Sequence, residues 1–346
     1  MPSRLAIFGG LLLLGLVVLF GFAAAQPANA ASFDCNKART PFAKAICSHP
    51  DLSKADDEVA AAFRAALDGL SEPAKAEVTK AQDAWVKFAN IACTKDARPA
   101  TRPYGDDQLQ CLQQVFADRT KQLGNSKSFG NLRVYYVDRY AALRDPDPAN
   151  DGATVATKSV SMPRLDGDDA EAVAFNRFIE TDTGKDIDAT IADHPSPDDG
   201  TEDDANSMIV SRVDDALITM VVNLYSYGHG AAHGNYSVAY VHYLRAARRR
   251  VETGDVFAGN SWPDKLRALA LQALKDQLGD NLMLDDPKSI DDLVVDPSRW
   301  DFSPKGLIVQ FEPYEVAPYA VGAPTITIAW ADIGDLLAAD AAKFQQ

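Results

Sequence analysis

Apolar residues at helical spacing dominate the chain between residues 31 and 125. They recur mostly every three or four positions, so each run forms one face of a helix. The three faces comprise Val59, Phe63, Leu67 and Leu70, then Val78, Ala81, Trp85 and Phe88, and finally Leu109, Leu112, Phe116 and Leu123. Trp85 lies on an apolar face, which predicts a core residue rather than an exposed ligand platform. We therefore predict a helical domain over residues 31–125.

A pattern rich in β-branched and aromatic residues begins after residue 126 and is typical of strands. It covers residues 133–137, 154–161, 207–213, 216–227, 236–244, 307–311 and 325–330. Helices are predicted at 168–190 and at 263–278, where Ser261 can cap the start and Gly279 the end. Since most strands follow one another without an intervening helix, we predict an α+β fold for 126–346, an antiparallel sheet covered by helices. The acidic, Pro-rich stretch 194–204 is predicted to be a solvated loop.

The first 30 residues, 1–30, have the order of a secretory signal. Arg4 precedes an uncharged apolar run from Leu5 to Phe22, and Ala-Asn-Ala at 28–30 matches a cleavage site. Small and polar residues follow, which favours cleavage after Ala30, although a run of about 20 apolar residues can also span a bilayer. We predict a periplasmic or secreted protein that contacts a membrane only if this segment stays uncleaved.

The cysteines lie early in the chain, before the predicted sheet. They are Cys35, Cys47, Cys93 and Cys111. An even number in an oxidising compartment predicts two structural disulfides, for which three pairings are possible. Because no CxxC pair occurs, these residues do not favour a zinc site.

Acidity is confined to the second predicted domain. The whole chain has a net charge of −15, and residues 31–125 contain 13 basic and 13 acidic side chains, so residues 126–346 carry −16 once Arg4 is set aside. This excess disfavours nucleic acid, whose phosphates need basic partners. An acidic surface attracts cationic partners. The alternative explanation for the negative charge is that it keeps an exported protein soluble.

One stretch with candidate metal chemistry is YGHGAAHG at 227–234, which contains His229 and His233. Two histidines at this spacing bind zinc when they share a helix face, but the glycines here predict a turn between strands. We therefore predict no metal site, and histidines that bond to backbone groups or face solvent.

A second candidate stretch is FEPYEVAPYAVG at 311–322, which follows a predicted strand. Its prolines restrict the backbone. Glu312 and Glu315 could act as the paired carboxylates of a glycosidase only if they faced each other across a substrate groove. The chain contains no GxSxG, Walker or dinucleotide-binding motif. We therefore predict a rigid, non-catalytic lip, with Tyr314, Glu315 and Tyr319 as the residues that touch a partner.

Short motifs at set positions mark the helical domain. They are Phe-Asp-Cys at 33–35, Ala-Ile-Cys at 45–47, Gln82 with Trp85, Asn90 with Cys93, Cys-Leu at 111–112 and Arg119 with Leu123. Together they resemble the N-terminal domain of the LprI-type lysozyme inhibitors over about residues 33–124.

The acidic domain has its own motifs. They are Gly-Ala-Ala-His at 230–233, Gly-Asp-Val-Phe at 254–257 and GLIVQFEPYEVAPYA at 306–320. These resemble the extracytoplasmic domain of the RsiV anti-sigma factors over about residues 130–340. In that group the domain is a lysozyme sensor, and the resemblance implies that His233 packs near the 311–322 stretch.

Both resemblances point to envelope proteins that meet lysozyme. We predict an exported, non-catalytic binding protein, without a cofactor, that recognises or inhibits a lysozyme-like muramidase or senses peptidoglycan. Its candidate binding residues are Tyr314, Glu315, Tyr319 and His233. The alternatives are a metal-assisted envelope enzyme that uses His229, His233 and Glu315, and a scaffold protein of the cell wall.

Overall fold

The computed structural model describes residues 31–147, 154–183, 187, 191 and 200–346. The predicted signal segment and most of the predicted acidic loop lie outside these ranges. Within them, none of the helices combines the length and the hydropathy that crossing a bilayer requires.

In the described part of the chain, four α-helices precede the first strand. They are α1 (Pro41–Ser48), α2 (Pro50–Leu67), α3 (Glu72–Ala92) and α4 (Asp106–Leu123). Disulfides join Cys35 to Cys47 and Cys93 to Cys111, so one ties α1 to the segment before it and the other ties the end of α3 to α4. These bonds settle the pairing that the sequence left open.

Most residues of the predicted helix faces form the core of this bundle. Trp85 is buried and meets Phe116 edge to face, with ring centroids 5.0 Å apart, which confirms it as a core residue. Leu70 lies outside α2, because the chain turns at Gly69, whose φ of 72° favours glycine. Leu70 instead packs with Val78 and Tyr135, where the helices meet the sheet.

Among the residues that the structure describes, seven strands form the larger sheet, in the order in which they occur along the chain. They are β1 (Lys127–Phe129), β2 (Leu132–Arg144), β3 (Val155–Leu165), β4 (Glu202–Val213), β5 (Leu217–Gly228), β6 (Asn235–Leu244) and β7 (Arg249–Arg250). Neighbours are antiparallel except β3 and β4. This parallel pair departs from the predicted antiparallel sheet. It is possible because a long crossover, which contains α5 (Ala170–Phe178), separates the two strands.

Two sequence predictions in the crossover differ from the structure. Of the helix predicted at 168–190, the structure describes α5, a π-helix at Ile179–Thr183 and a helical residue at Ile187. The loop predicted at 194–204 is wrong for its last three residues, since β4 begins at Glu202. Acidic side chains fit this strand because Asp203 accepts hydrogen bonds from Thr157 and Asp204 pairs with Lys158.

A smaller sheet completes the fold and confirms the α+β class. After α6 (Thr253–Val256), α7 (Trp262–Leu278) and α8 (Asp291–Val295) come β8 (Trp300–Ser303), β9 (Gly306–Gln310), β10 (Thr325–Ala329) and α9 (Trp330–Ile333). The three strands pair antiparallel in the order β10-β9-β8. The apolar stripe of α7, predicted at 263–278, packs against this sheet.

A buried ion pair joins the helices to the larger sheet. Arg119 of α4 is fully buried and donates to the carboxylate of Asp138 in β2 at 2.5 Å. The same guanidinium donates to Gln82 of α3 at 2.9 Å and to Tyr140 of β2 at 2.7 Å. Since Arg119 and these partners together lie on three elements, the hydrogen bonds fix α3 and α4 against β2.

Candidate functional site

The 311–322 stretch is a loop between β9 and β10 that is closed at its base. The buried Gln310 donates its side-chain amide to the carbonyls of Phe311, Ala323 and Pro324, at 2.7, 3.0 and 3.2 Å. Phe311 also pairs with Pro324 through its backbone N–H at 2.9 Å. These bonds hold both ends of the loop together, as a rigid lip requires.

Glu315 stabilises the loop from within. Its carboxylate forms a bidentate pair with Arg299, at 2.8 and 3.0 Å, and accepts the backbone N–H of Glu312 at 2.6 Å. Burial raises the pKa of Glu312, and the Glu315 charge raises it further while Arg299 lowers it. The geometry therefore gives Glu315 an internal structural role and leaves limited surface, 21% of its side chain, for a partner.

Tyr314 occupies the outermost position of the loop. Its φ of 69° lies in the left-handed region, where a non-glycine residue costs about 1–2 kcal/mol. The residue is 58% exposed, which makes it the most exposed of the large apolar residues in the described part of the chain. A strained backbone that presents an exposed aromatic ring is typical of a binding site.

The structure brings His233, Tyr314 and Tyr319 together, as the resemblance implied. The His233 ring stacks on Tyr319 with centroids 4.0 Å apart, and Tyr314 lies 5.4 Å from Tyr319. His233 Nδ1 lies 2.9 Å from the Gly234 carbonyl, which only accepts, so Nδ1 carries a proton. In the neutral ring Nε2 then accepts from the Tyr314 hydroxyl at 3.3 Å.

Two tyrosines that sequence reasoning missed extend this cluster across the larger sheet. Tyr225 and Tyr236 are cross-strand partners on β5 and β6, and Tyr236 meets Tyr319 edge to face at 6.2 Å. The Tyr225 ring packs directly on the backbone of Gly234, since a Cβ there would clash with its hydroxyl oxygen at 2.4 Å. The register of the β5–β6 hairpin is the signal that could have found this pair. We call these four tyrosines and His233 the aromatic strip.

A cleft of about 450 Å³ opens beside the aromatic strip. Helices α3 and α4 form one wall, which includes Asp118, and strands β2 to β5 form the other, which includes Tyr140, Asp203 and Asp204. Tyr225 and Asp204 also line a shallower depression that reaches Tyr236. The charged side chains that line the cleft are Asp118, Asp203, Asp204 and Lys158, so its charge is negative on balance. Through Tyr225 the helix-sheet cleft and the aromatic strip form one continuous surface.

His229 does not share the surroundings of His233. Its imidazole is buried, with Nδ1 2.5 Å from a carboxylate oxygen of Asp145 and Nε2 3.6 Å from one of Asp203. The prediction that both histidines meet backbone or solvent is wrong for the His229 side chain, because Asp145, which follows β2, and Asp203 of β4 converge on it. His229, His233 and Glu315 thus have different partners, and no set of three metal-binding side chains occurs in the ranges the structure covers.

The backbone strain at Tyr314 predicts how two substitutions differ in stability. Tyr314→Gly and Tyr314→Ala both remove the ring, but only glycine relaxes the left-handed backbone. Tyr314→Gly is therefore expected to be more stable than Tyr314→Ala by about 1 kcal/mol. Urea unfolding of the two variants measures this difference. Equal midpoints would show that the backbone at residue 314 is not strained.

Two family models match this chain. Residues 35–123 match the family described as "Lysozyme inhibitor LprI", and residues 254–331 match the one described as "Protein of unknown function (DUF3298)". These matches confirm both resemblances that the sequence motifs indicated, the LprI-type one in the helical domain and the RsiV-type one in the acidic domain. The second match contains the 311–322 loop, whereas His233 lies before it. Neither family description names a catalytic activity.

Solved structures of the second family are also similar to the chain. Two crystal structures of DUF3298 family proteins, from Bacteroides fragilis and Pseudomonas aeruginosa, are each 13% identical, with TM-scores of 0.44 and 0.43. Each match covers 62% of this chain, and 96% and 97% of the respective structures. No curated protein sequence matches the chain significantly.

Proposed function

We propose that the chain is an exported, non-catalytic protein of the cell envelope that binds a lysozyme-like muramidase. The observation that carries this proposal is the shared helix-sheet cleft. Helices from the segment that matches a lysozyme-inhibitor family form one wall, and strands of the acidic segment form the other. A partner that enters the cleft meets both.

The aromatic strip supplies the contacts expected at the centre of such an interface. Tyrosines are enriched among residues that dominate binding energy, because a ring buries a large area with little conformational entropy. Tyr314 and Tyr225 are both exposed, and their neighbours in the strip fix their positions. A preorganised surface of this kind loses little entropy when it binds.

Charge explains the choice of a basic partner. Residues 126–346 carry a net −16, and Asp118 adds an exposed carboxylate at the helical wall of the cleft. Many lysozymes are basic, so opposite charges accelerate their encounter with this surface. The effect weakens with salt, because the Debye length falls to about 8 Å at 0.15 M.

The proposal predicts salt-sensitive inhibition of a muramidase. Purified residues 31–346 are expected to slow the turnover of peptidoglycan by a basic lysozyme, with binding about tenfold weaker at 0.3 M than at 0.02 M salt. Asp118→Lys is expected to slow association about three- to tenfold, since it reverses a charge at the cleft. The measurement is the association rate constant from surface plasmon resonance.

A matched charge reversal on α7 provides the control for that prediction. Asp276 is exposed and bonds only locally, to Gln272 at 2.8 Å. Asp276→Lys changes the net charge as Asp118→Lys does, but not at the cleft. Equal effects of the two variants would place the partner elsewhere. Binding to isolated peptidoglycan without lysozyme would identify the cell wall itself as the ligand.

A further inference from the structure

A second concave surface shares no lining residue with the cleft or the aromatic strip. It lies between the end of α5 and the turn that joins β6 to β7, and it encloses about 500 Å³. Its basic lining residues are Arg177, Arg248, Arg249 and Arg250. We call this surface the arginine pocket.

The charge of the arginine pocket opposes that of the segment around it. Four arginines line it against two acidic residues, Asp182 and Glu252, whereas residues 126–346 as a whole carry −16. Solubility does not require such a concentration of arginine, because scattered charges of either sign serve that purpose. A local positive potential inside a concavity attracts and holds an anion.

Two of the arginines are held in place by carboxylates. Arg249 forms a bidentate pair with Asp255, at 2.7 and 2.8 Å. Arg250 lies 3.5 Å from Asp182. These pairs orient the two side chains at the pocket but neutralise part of their charge, so neither is the principal anion ligand.

The other two arginines retain their binding capacity. Arg177 and Arg248 are exposed, and neither has an ion pair with any residue that the structure describes. Arg248 also has a φ of 55°, in the left-handed region where glycine would be relaxed. The turn therefore holds a guanidinium at a position that costs stability. The two arginines come from opposite sides of the pocket, one from α5 and one from the turn.

We propose that the arginine pocket binds a phosphate group, with Arg177 and Arg248 as its principal ligands. The guanidinium fork donates two parallel hydrogen bonds, which matches the geometry of phosphate oxygens. Ala174 and Phe178 give the pocket an apolar wall beside the arginines, suited to the organic part of a phosphate ester. Free phosphate esters and the headgroups of anionic lipids share this chemistry.

Calorimetry and vesicle binding test the proposal and separate the two sources. Residues 31–346 are titrated with inorganic phosphate, and in parallel are sedimented with vesicles of phosphatidylglycerol or of uncharged phosphatidylcholine. Phosphate is expected to bind with a dissociation constant below about 1 mM. Binding to the anionic vesicles but not to phosphate would identify a lipid headgroup as the source. Binding of phosphate or of anionic vesicles supports the arginine pocket only if substitution of its arginines abolishes that binding.

The variants decide whether these two arginines are the ligands. Arg248→Gly and Arg177→Gln are each expected to weaken binding at least about tenfold. Arg248→Gly also relaxes the left-handed backbone, so it keeps or gains stability and a loss of binding cannot result from unfolding. Arg267→Gln, on α7 and paired with Asp264, is the control and is expected to bind as the wild type does. Unchanged binding by Arg248→Gly, or no binding in either assay, would overturn the proposal.

Discussion

Replacing Asp138 by alanine is expected to lower the free energy of unfolding by about 3–5 kcal/mol. Arg119 is fully buried, and Asp138 is the carboxylate that faces it at 2.5 Å. Without Asp138 the guanidinium remains in a low-dielectric interior with a charge that no carboxylate compensates. Ser161 would also lose its hydrogen bond to Asp138, which is 2.7 Å long. Urea unfolding at neutral pH measures the change.

Two further variants show whether this loss reflects a buried charge. The double variant Arg119→Met/Asp138→Leu is expected to recover much of the stability, because apolar residues of similar volume often replace a buried ion pair without cost. Lys54→Ala breaks an exposed pair with Glu58, and is expected to cost less than about 0.5 kcal/mol. A loss below about 1 kcal/mol for Asp138→Ala would contradict the role assigned to the pair.

The Arg119–Asp138 pair also matters for the binding surface. It connects the helices that form one wall of the helix-sheet cleft to β2, which contributes Tyr140 to the other wall. Tyr135 donates to Glu77 at 2.7 Å, and Ser71 donates to Asp166 at 2.5 and 2.7 Å, across the same junction. The two walls are therefore held at a fixed separation, as a preorganised cleft requires.

Acid is expected to destabilise the protein through His242, by about 3 kcal/mol between pH 7 and pH 4. Burial lowers the pKa of His242 to about 4, against the opposing effect of its hydrogen bond to the Trp300 carbonyl. In the unfolded chain the pKa returns to about 6.5. Between these values the unfolded state binds a proton that the folded state does not. The contribution of His242 is thus complete above about pH 7 and is lost as the pH falls toward 4.

A histidine variant isolates this contribution from that of other acidic and basic groups. Arg212, Asp214 and Arg250 also act on the pKa of His242, and they remain in the variant His242→Gln. The free energy of unfolding of His242→Gln is expected to fall less steeply with acid than that of the wild type. His49→Gln, in the helical segment, serves as the control. Parallel pH profiles for wild type and His242→Gln would contradict the prediction.

Much of the fold follows from local patterns in the sequence. The apolar spacing of α3, α4 and α7 predicts a helix without knowledge of its partners, because only a helix places these residues on one face that can be buried. The β-branched runs locate β4, β5, β6, β9 and β10 in the same way. A turn at 311–322 was also predictable, since a Pro-rich sequence after a strand favours one, whereas contact of Tyr314 and Tyr319 with a partner stays a prediction.

Other features depend on partners that are distant in the chain. Asp203 and Asp204 can belong to a strand because Thr157 of β3 donates a hydrogen bond to Asp203 and Lys158 of β3 pairs with Asp204. These contacts exist only because a long crossover brings β4 beside β3. The same holds for Glu315, whose partner Arg299 precedes β8. Sequence patterns report burial and local geometry, whereas these pairings are determined by the assembled fold.

The most direct test of the account is calorimetric titration of residues 31–346 with a basic lysozyme at low salt. Tyr314→Gly, which removes the exposed ring without backbone strain, is compared with Val173→Ala, a change at an equally exposed apolar residue on α5. We expect one-to-one binding by the wild type and by Val173→Ala, and binding at least about tenfold weaker for Tyr314→Gly. No binding by the wild type, or equal affinities for wild type and Tyr314→Gly, would contradict the claim that the aromatic strip recognises a muramidase.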